Sequence, residues 1–281
     1  MAKQLEKYRE IERSIITTYR KALWSPFVLA VKKYSLISAG DKIAVCVSGG
    51  KDSMLLAKLM QELQRHSEVP FELVFLVMDP GYNVENRLRI EENAKLLNLP
   101  ITVFESDVFA AADAACAENP CYLCARMRRG HLYAKAKELG CNKIALGHHK
   151  SDVIETTLMG MLYGGQIQGM LPRIKSTNFA GMELIRPMYC VRESDILRWQ
   201  EYNGLQFIAC ACKFTRNLTG GDEDTFSARR RVKALIAELK KENPNIENNI
   251  FQSIHNVQLD TLAEYKQANE KHSFLEKFNE D

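Results

Sequence analysis

The sequence predicts an α/β fold: a doubly wound, mostly parallel sheet with an N-terminal helical arm and a C-terminal helical extension. Three observations predict it. Short runs rich in Val, Ile and Leu recur along the chain, segments with helical periodicity separate them, and a Gly/Ser turn joins the first such run to the helix after it. Strands that alternate with helices of this length must be linked by right-handed crossovers, so they lie parallel with helices on both faces.

The elements follow in order. Leu5, Tyr8, Ile11, Ile15, Tyr19 and Leu23 recur at helical spacing among Lys, Arg and Glu, which predicts an amphipathic helix over 1–24. A second helical piece, interrupted at Pro26, runs to about Ile37. Gly40-Asp41 turns into a buried strand over 42–47, and helical periodicity resumes over 51–64. A strand over 71–78, a helix over 84–97 and a strand over 101–104 repeat the pattern. Past an Ala-rich stretch and Pro120 come a helix over 121–139, a strand over 143–146 and a helix over 152–163. After a glycine-rich break at 164–169, a strand over 184–188 precedes a helix over 193–202. A short apolar strand over 205–208 then leads into Cys210-Ala211-Cys212. Beyond Gly220-Gly221 the chain reads as helical, with Val232, Leu235, Ile236 and Leu239 on one stripe. Three parts result: a helical segment over 1–40, an α/β domain over 41–190, and a C-terminal segment over 191–281.

Composition narrows the class. Of 281 residues 46% are apolar and 26% charged, which disfavours disorder and fibrous repeats. The 38 basic and 35 acidic residues leave a net charge of +3, so the placement of charge decides whether nucleic acid is a partner. No apolar run approaches the roughly 20 residues that span a bilayer. The segment Met1-Ala2-Lys3-Gln4-Leu5-Glu6-Lys7 has no apolar signal character. A cytoplasmic, membrane-free protein is expected, in which clustered cysteines suggest metal or redox chemistry more than disulfides.

The most informative segment is Ser48-Gly49-Gly50-Lys51-Asp52-Ser53, at the end of one predicted strand and the start of a helix. Paired glycines let the backbone approach an anion closely, and the helix behind presents free N–H groups and the positive end of its dipole. Lys51 adds a cation, and Ser48 and Ser53 add hydroxyls. The turn is shorter than a Walker A loop, which suits a pyrophosphate leaving group better than a transferred γ-phosphate. An ordinary capped strand–helix turn is the alternative.

This hexapeptide resembles the signature of the PP-loop ATP pyrophosphatase superfamily, whose fold is of the adenine nucleotide α-hydrolase type. The resemblance implies ATP cleavage between the α and β phosphates, adenylylation of a carbonyl oxygen and displacement by a nucleophile. It gives Ser48, Gly49, Gly50, Lys51, Asp52 and Ser53 a binding role and sets Asp79, in Met78-Asp79-Pro80-Gly81, near the adenosine. An Asx-type turn without a ligand is the other reading of Asp79.

Cys121 and Cys124, at i and i+3, could share a metal ion or an iron–sulfur cluster, could exchange disulfides, or could be two buried thiols. The run Cys121-Tyr122-Leu123-Cys124-Ala125-Arg126-Met127-Arg128-Arg129-Gly130 resembles that of the tRNA 2-thiocytidine synthetases, a PP-loop subgroup. So do Leu146-Gly147-His148-His149-Lys150-Ser151-Asp152, Leu162-Tyr163-Gly164-Gly165 and Ile185-Arg186-Pro187-Met188. The resemblance implies a 4Fe–4S cluster on Cys121, Cys124 and Cys210, with one iron left to carry sulfide. It further implies ATP and Mg2+, a tRNA substrate, a sulfur donor such as a cysteine desulfurase or inorganic sulfide, and a homodimer. Catalytic roles fall to Asp52, Asp152 and Cys210. Gly147, His148 and Asp152 are implied at the nucleotide, and Arg126 and Arg129 near its phosphates or the sulfide. Two departures stand out. Cys210-Ala211-Cys212 replaces the family's second CxxC, which leaves Cys212 as an alternative or a fourth thiol, and Ser151 stands where many members carry an acid. Both leave open a different nucleoside or small-molecule acceptor. Arg126, Arg128, Arg129, Lys135, Lys137 and Lys143, with Lys32, Lys33 and the face from Arg229 to Lys233, are the candidate RNA surface, or else solvated helix faces.

Overall fold

The computed structural model describes the backbone of residues 6–108, 120–208 and 223–278, and their side chains apart from those of 120–125, 223–227 and 277. The chain divides into two compact units, residues 1–153 with 170–227 and residues 154–169 with 228–281.

The first unit is built on a six-stranded sheet in the order β3-β2-β1-β4-β6-β5. Its strands are β1 (Lys42–Cys46), β2 (Glu72–Asp79), β3 (Ile101–Glu105), β4 (Lys143–Ala145), β5 (Arg173–Lys175) and β6 (Glu183–Ile185). All neighbours pair parallel except β5, which closes the edge antiparallel to β6. Strand period 2 explains the double winding. Ile43 and Val45 of β1 enter one apolar cluster with Met54, Leu55 and Leu59 of α3 (Lys51–His66). Ala44 and Cys46, on the opposite face, join Tyr133 and Ala136 of α5 (Pro120–Glu138). Between them in sequence, α4 (Val84–Leu96) adds Ile90 and Ala94 to the first cluster.

The helical arm also joins that first cluster, through Ile11, Ile15, Leu23 and Phe27. It is not one helix over 1–24. α1 (Lys7–Ile16) ends at Thr17, a π-helical turn follows (Arg20–Trp24), and α2 (Ser25–Lys33) begins anew. Ser14 Oγ and Thr17 Oγ1 donate to the carbonyls of Ile11 and Arg13, the local competition that weakens a helix end. Pro26 starts α2 instead of breaking it, because the first turn needs no proline N–H.

Two further expectations are corrected. The strand expected over 184–188 stops at Ile185, because Pro187 brings no donor to the ladder. Residues 205–208 form no strand. Asn93 Nδ2 donates to the Gln206 carbonyl at 2.9 Å and Gln200 Nε2 to that of Leu205 at 3.2 Å, so side chains satisfy this backbone. Phe207 stacks on Trp199 of α7 (Glu193–Tyr202).

The second unit takes the later part of α6 (Lys150–Gly164), the later part of α8 (Glu223–Glu242), α9 (Ile246–Ser253) and a hairpin of β7 (Glu264–Gln267) with β8 (Glu270–Ser273), ahead of the short α10 (Leu275–Phe278). Ile154, Val232, Ile236 and Phe251 are buried apolar residues among its described positions, while Leu235 of the predicted stripe is exposed. The hairpin turns through Ala268 and Asn269, both at positive φ (50° and 70°). Glycine usually marks such a turn, and its absence hid the hairpin from sequence reading. Among the described residues no helix is long and apolar enough to cross a membrane.

Candidate active site

β1, β4 and β6 are neighbours, so the loops after their carboxyl ends meet at one edge of the sheet. The first is the Gly-Gly turn. Gly49 has φ +85°, and a Cβ there would lie 2.5 Å from Ile90 Cγ1 and 2.7 Å from Ile208 Cδ1, so only glycine fits. The Ser48 N–H donates to Ser53 Oγ at 3.0 Å and Ser53 Oγ donates to the Gly50 carbonyl at 2.9 Å, which folds the turn on itself. Gly50 caps α3 without a side-chain hydrogen bond, so the helix N-terminus keeps its anion-binding character.

Lys51 Nζ lies 3.1 Å from both Asp52 Oδ2 and Glu193 Oε1. Burial pulls this ammonium down, but the two carboxylates outweigh it and hold its pKa above the usual lysine value. Glu193 opens α7, and its backbone N–H donates to Ser151 Oγ at 3.2 Å. Ser151 thus meets the backbone of Glu193, whose carboxylate turns to Lys51.

The loop after β4 brings Gly147, His148 and His149. A Cβ on Gly147 would lie 3.1 Å from Ser53 N and 3.2 Å from Asp52 C, so this glycine lets the loop press on the first turn of α3. His149 is buried, with Nδ1 3.3 Å from Asp152 Oδ2 and Nε2 3.6 Å from Asp52 Oδ1. His149 N–H donates to Asp152 Oδ2 at 3.0 Å, and Asp152 N–H donates to His149 Nδ1 at 3.3 Å. The two residues thus form a reciprocal capping box at the start of α6.

His148 and Arg186 follow a different logic. Burial, then the charge of Arg186, pushes the His148 imidazole down to about 4 against a pull from Asp152. Burial, then Arg129, lowers Arg186 to about 10. Arg186 Nη1 donates to the Leu171 carbonyl. Among the described residues, three buried polar atoms in this loop cluster have no hydrogen-bond partner: Asp52 Oδ1, His148 Nδ1 and Arg186 Nε. Such orphans are rare in native proteins and mark places where a ligand completes the set.

The other expected residues fall as follows. Asp79 closes an Asx turn, accepting from Gly81 N at 2.9 Å and Tyr82 N at 2.8 Å, and pairs with Arg87 at 2.7 Å. Burial raises its carboxyl, but these donors win and hold it below the usual carboxylate range. Arg126 and Arg129 are exposed on α5. That helix also carries Cys121 and Cys124, whose side chains, like Cys210 and Cys212, lie outside the described residues. Cys46 and Cys141 are buried core thiols, and burial first, then Cys141, pushes Cys46 up to about 12. Among the described residues no group of three or more His, Cys, Asp or Glu could hold a metal ion.

The expected RNA surface needs one correction. Lys143 is buried, 2.6 Å from Asp41 Oδ2, because its strand position faces an acid and not solvent. Arg229 and Lys233 both reach the buried carboxylate of Glu155 within the second unit, at 2.8 and 3.6 Å. Lys32, Lys33 and Lys137 are exposed. Sequence reading did not assign His149, Glu193 or Arg186 to the site. The first and last stood inside recognised motifs; Glu193 gave no signal beyond opening a helix.

A family model described as the PP-loop domain matches residues 25–218. The chain is 35% identical over 240 residues to a tRNA-cytidine(32) 2-sulfurtransferase of Alkalilimnicola ehrlichii, covering 84% of this chain and 73% of the relative. It is 33% identical over 261 residues to the tRNA-cytidine(32) 2-sulfurtransferase of Coxiella burnetii, covering 92% and 95%. Among solved structures, the U34-tRNA thiolase NcsA from Methanococcus maripaludis with its 4Fe–4S cluster superposes with a TM-score of 0.65 at 19% identity, over 86% of this chain and 80% of that one. At that identity the likeness is one of fold.

Proposed function

The chain belongs to the PP-loop domain family and, within it, to the tRNA-cytidine(32) 2-sulfurtransferases, and from that premise we propose that it activates a tRNA cytosine with ATP and replaces the base's 2-oxygen with sulfur. The observation that carries the reading is the loop cluster itself. An anion-ready helix N-terminus, Lys51 and the orphaned Asp52 Oδ1 stand together at the end of β1.

The chemistry needs an electrophilic C2. The cytosine must leave its stack to expose that atom. Its O2 attacks the α-phosphorus of ATP, an O–P bond forms, and the bond to the β-phosphate breaks with its electron pair leaving on pyrophosphate. Sulfide then adds to C2 and AMP departs with the former O2, so the reaction has no net redox change. The residues of this chain prepare each part. The turn at Gly49 and Gly50 admits the phosphates, and Lys51 exchanges its two carboxylates for the leaving pyrophosphate. Asp52 and Asp152 are the carboxylates that would hold magnesium against those phosphates. His148, neutral near pH 7, donates or accepts a hydrogen bond without adding charge. Cys121 and Cys124 stand three residues apart in α5, a thiolate spacing that suits an iron–sulfur centre. With Cys210 as third ligand, a 4Fe–4S cluster would supply an iron site for sulfide, taken from solution or released from the persulfide of a desulfurase by a thiol reductant.

The test is anaerobic turnover with ATP, sulfide and unmodified tRNA. Pyrophosphate release that depends on RNA, with 2-thiocytidine in the digested product by mass spectrometry, is expected. Lys51→Ala should lower the rate about 100-fold, the usual weight of one charge-stabilising group. RNA-independent pyrophosphate release, or thiolation of another nucleoside, would overturn the assignment.

A further inference from the structure

We propose that His149 is a positioning residue that links the two site carboxylates, its backbone N–H holding Asp152 Oδ2 and its ring Nε2 aimed at Asp52 Oδ1, and so fixes their separation. The inference rests on the nucleotide-activation reading and adds a residue to it.

His149 immediately precedes α6, and its carbonyl accepts the Val153 N–H at 3.3 Å, so it is the N-cap of that helix. Asn, Asp, Ser and Thr are the residues that cap best, and histidine is not among them. As a cap alone, asparagine would serve better, because one acceptor is all that the Asp152 N–H requires. Histidine brings a second nitrogen. In the neutral ring the Asp152 N–H fixes Nδ1 as the acceptor, and the proton therefore sits on Nε2. Nε2 lies 3.6 Å from Asp52 Oδ1, the buried carboxylate oxygen that has no hydrogen-bond partner among the described residues. That distance is somewhat long for a hydrogen bond. Contacts of this kind tighten when substrate arrives.

The surroundings leave the ring little freedom. It is buried, Lys150 behind it donates its backbone N–H to the Val191 carbonyl at 2.8 Å, and Gly147 on its other side abuts the backbone of Asp52. Asp52 is meanwhile held through its other oxygen by Lys51. One oxygen of Asp52 thus faces the cation of its own loop and the other faces a ring anchored on the loop after β4. A rigid link between neighbouring strand-end loops fits a reaction that must bring two carboxylates to one polyphosphate, since a displacement of about 1 Å can cost on the order of 100-fold in rate.

The experiment uses full-length protein and separates the cap from the link. His149→Asn keeps an acceptor for the Asp152 N–H and is too short to reach Asp52. Its melting temperature should stay near the wild-type value, its KM for ATP should change less than about 3-fold, and its kcat for RNA-dependent pyrophosphate release should fall about 100-fold. His149→Ala should lose both melting temperature and kcat. A His149→Asn enzyme with wild-type kcat would overturn the proposal and leave the residue a cap. Long-range proton–nitrogen NMR on 15N-histidine protein reads the link without turnover: a proton on Nε2 is expected, and a ring whose Nε2 carries none overturns it. A wild-type protein that releases no pyrophosphate would sink the nucleotide-activation reading, while the NMR result would still decide the link.

Discussion

The two ends of strand β4 each bury charge, and they do so in opposite ways. At its start Lys143 is almost wholly enclosed, and its ammonium lies 2.6 Å from Asp41, 3.6 Å from Glu183 and 3.0 Å from the Leu36 carbonyl. Asn142 Nδ2 and the Ser38 N–H complete the Asp41 carboxylate. Just past the other end, Arg186 Nε, His148 Nδ1 and Asp52 Oδ1 are buried with no hydrogen-bond partner among the described residues. A buried polar network that is complete specifies structure; one left incomplete costs stability that only a ligand can return. The difference teaches where to look for function in a sheet whose two edges are similarly charged by sequence. Candidate chemistry lies at the edge where acceptors and donors do not balance.

Breaking the complete end should give the largest effect. Lys143→Met removes one member of a buried pair and strands Asp41, so unfolding free energy should drop by about 3–5 kcal/mol in urea denaturation. Adding Asp41→Asn should restore much of it, since two neutral groups need no compensating charge. A single Lys143→Met variant as stable as wild type would end the contrast.

The acid branch of stability sharpens the same comparison. The His148 ring goes from 6.5 in the unfolded chain to about 4 in the fold, because burial and Arg186 disfavour its charged form. The unfolded state therefore binds the extra proton between these values, and the stability present above pH 6.5 is lost as pH falls toward 4. After discounting for partial exposure the loss is about 2 kcal/mol. At the other end, burial raises the Asp41 carboxyl but Lys143 outweighs it and holds it below 3.8, so its contribution disappears only in stronger acid. His148→Asn should flatten the profile between pH 6.5 and 4 and leave the acid limb below it. An unchanged slope in that interval would show that the imidazole is not the group titrating.

Much of this was legible in the sequence, for identifiable reasons. Gly49 announced the turn because only glycine tolerates φ +85° against Ile90, and Val- and Ile-rich runs marked β1 and β2 because parallel strands are buried on both faces. The lysines were harder. Lys143 read as part of a basic surface, because a strand start gives no sign that Asp41, about a hundred positions earlier, will fold back beside it. Glu193 was unreadable for the same reason: its contact with Lys51 spans 142 positions and depends on β6 lying beside β4. His149 was visible as half of a pair of histidines, but which nitrogen faces which carboxylate is a property of the cap geometry, and no spacing encodes it.

The smallest effect on stability is expected at the incomplete end, where it is also the most telling. Arg186 is enclosed, its Nη1 donates to the Leu171 carbonyl, and burial followed by the repulsion of Arg129 lowers its pKa to about 10. Arg186→Met removes a cation that the fold holds against its own electrostatics, and Leu171 is exposed enough for water to take over its carbonyl. Unfolding free energy should therefore stay within about 1 kcal/mol of wild type or rise. Anion affinity should move instead: inorganic pyrophosphate should raise the melting temperature of the wild type and not of Arg186→Met, and Arg186→Lys should fail to restore it, because a point charge lacks the planar fork. If Arg186→Met unfolded as readily as Lys143→Met, the two ends of β4 would be doing the same job, and the missing partner of Nε would carry no functional meaning.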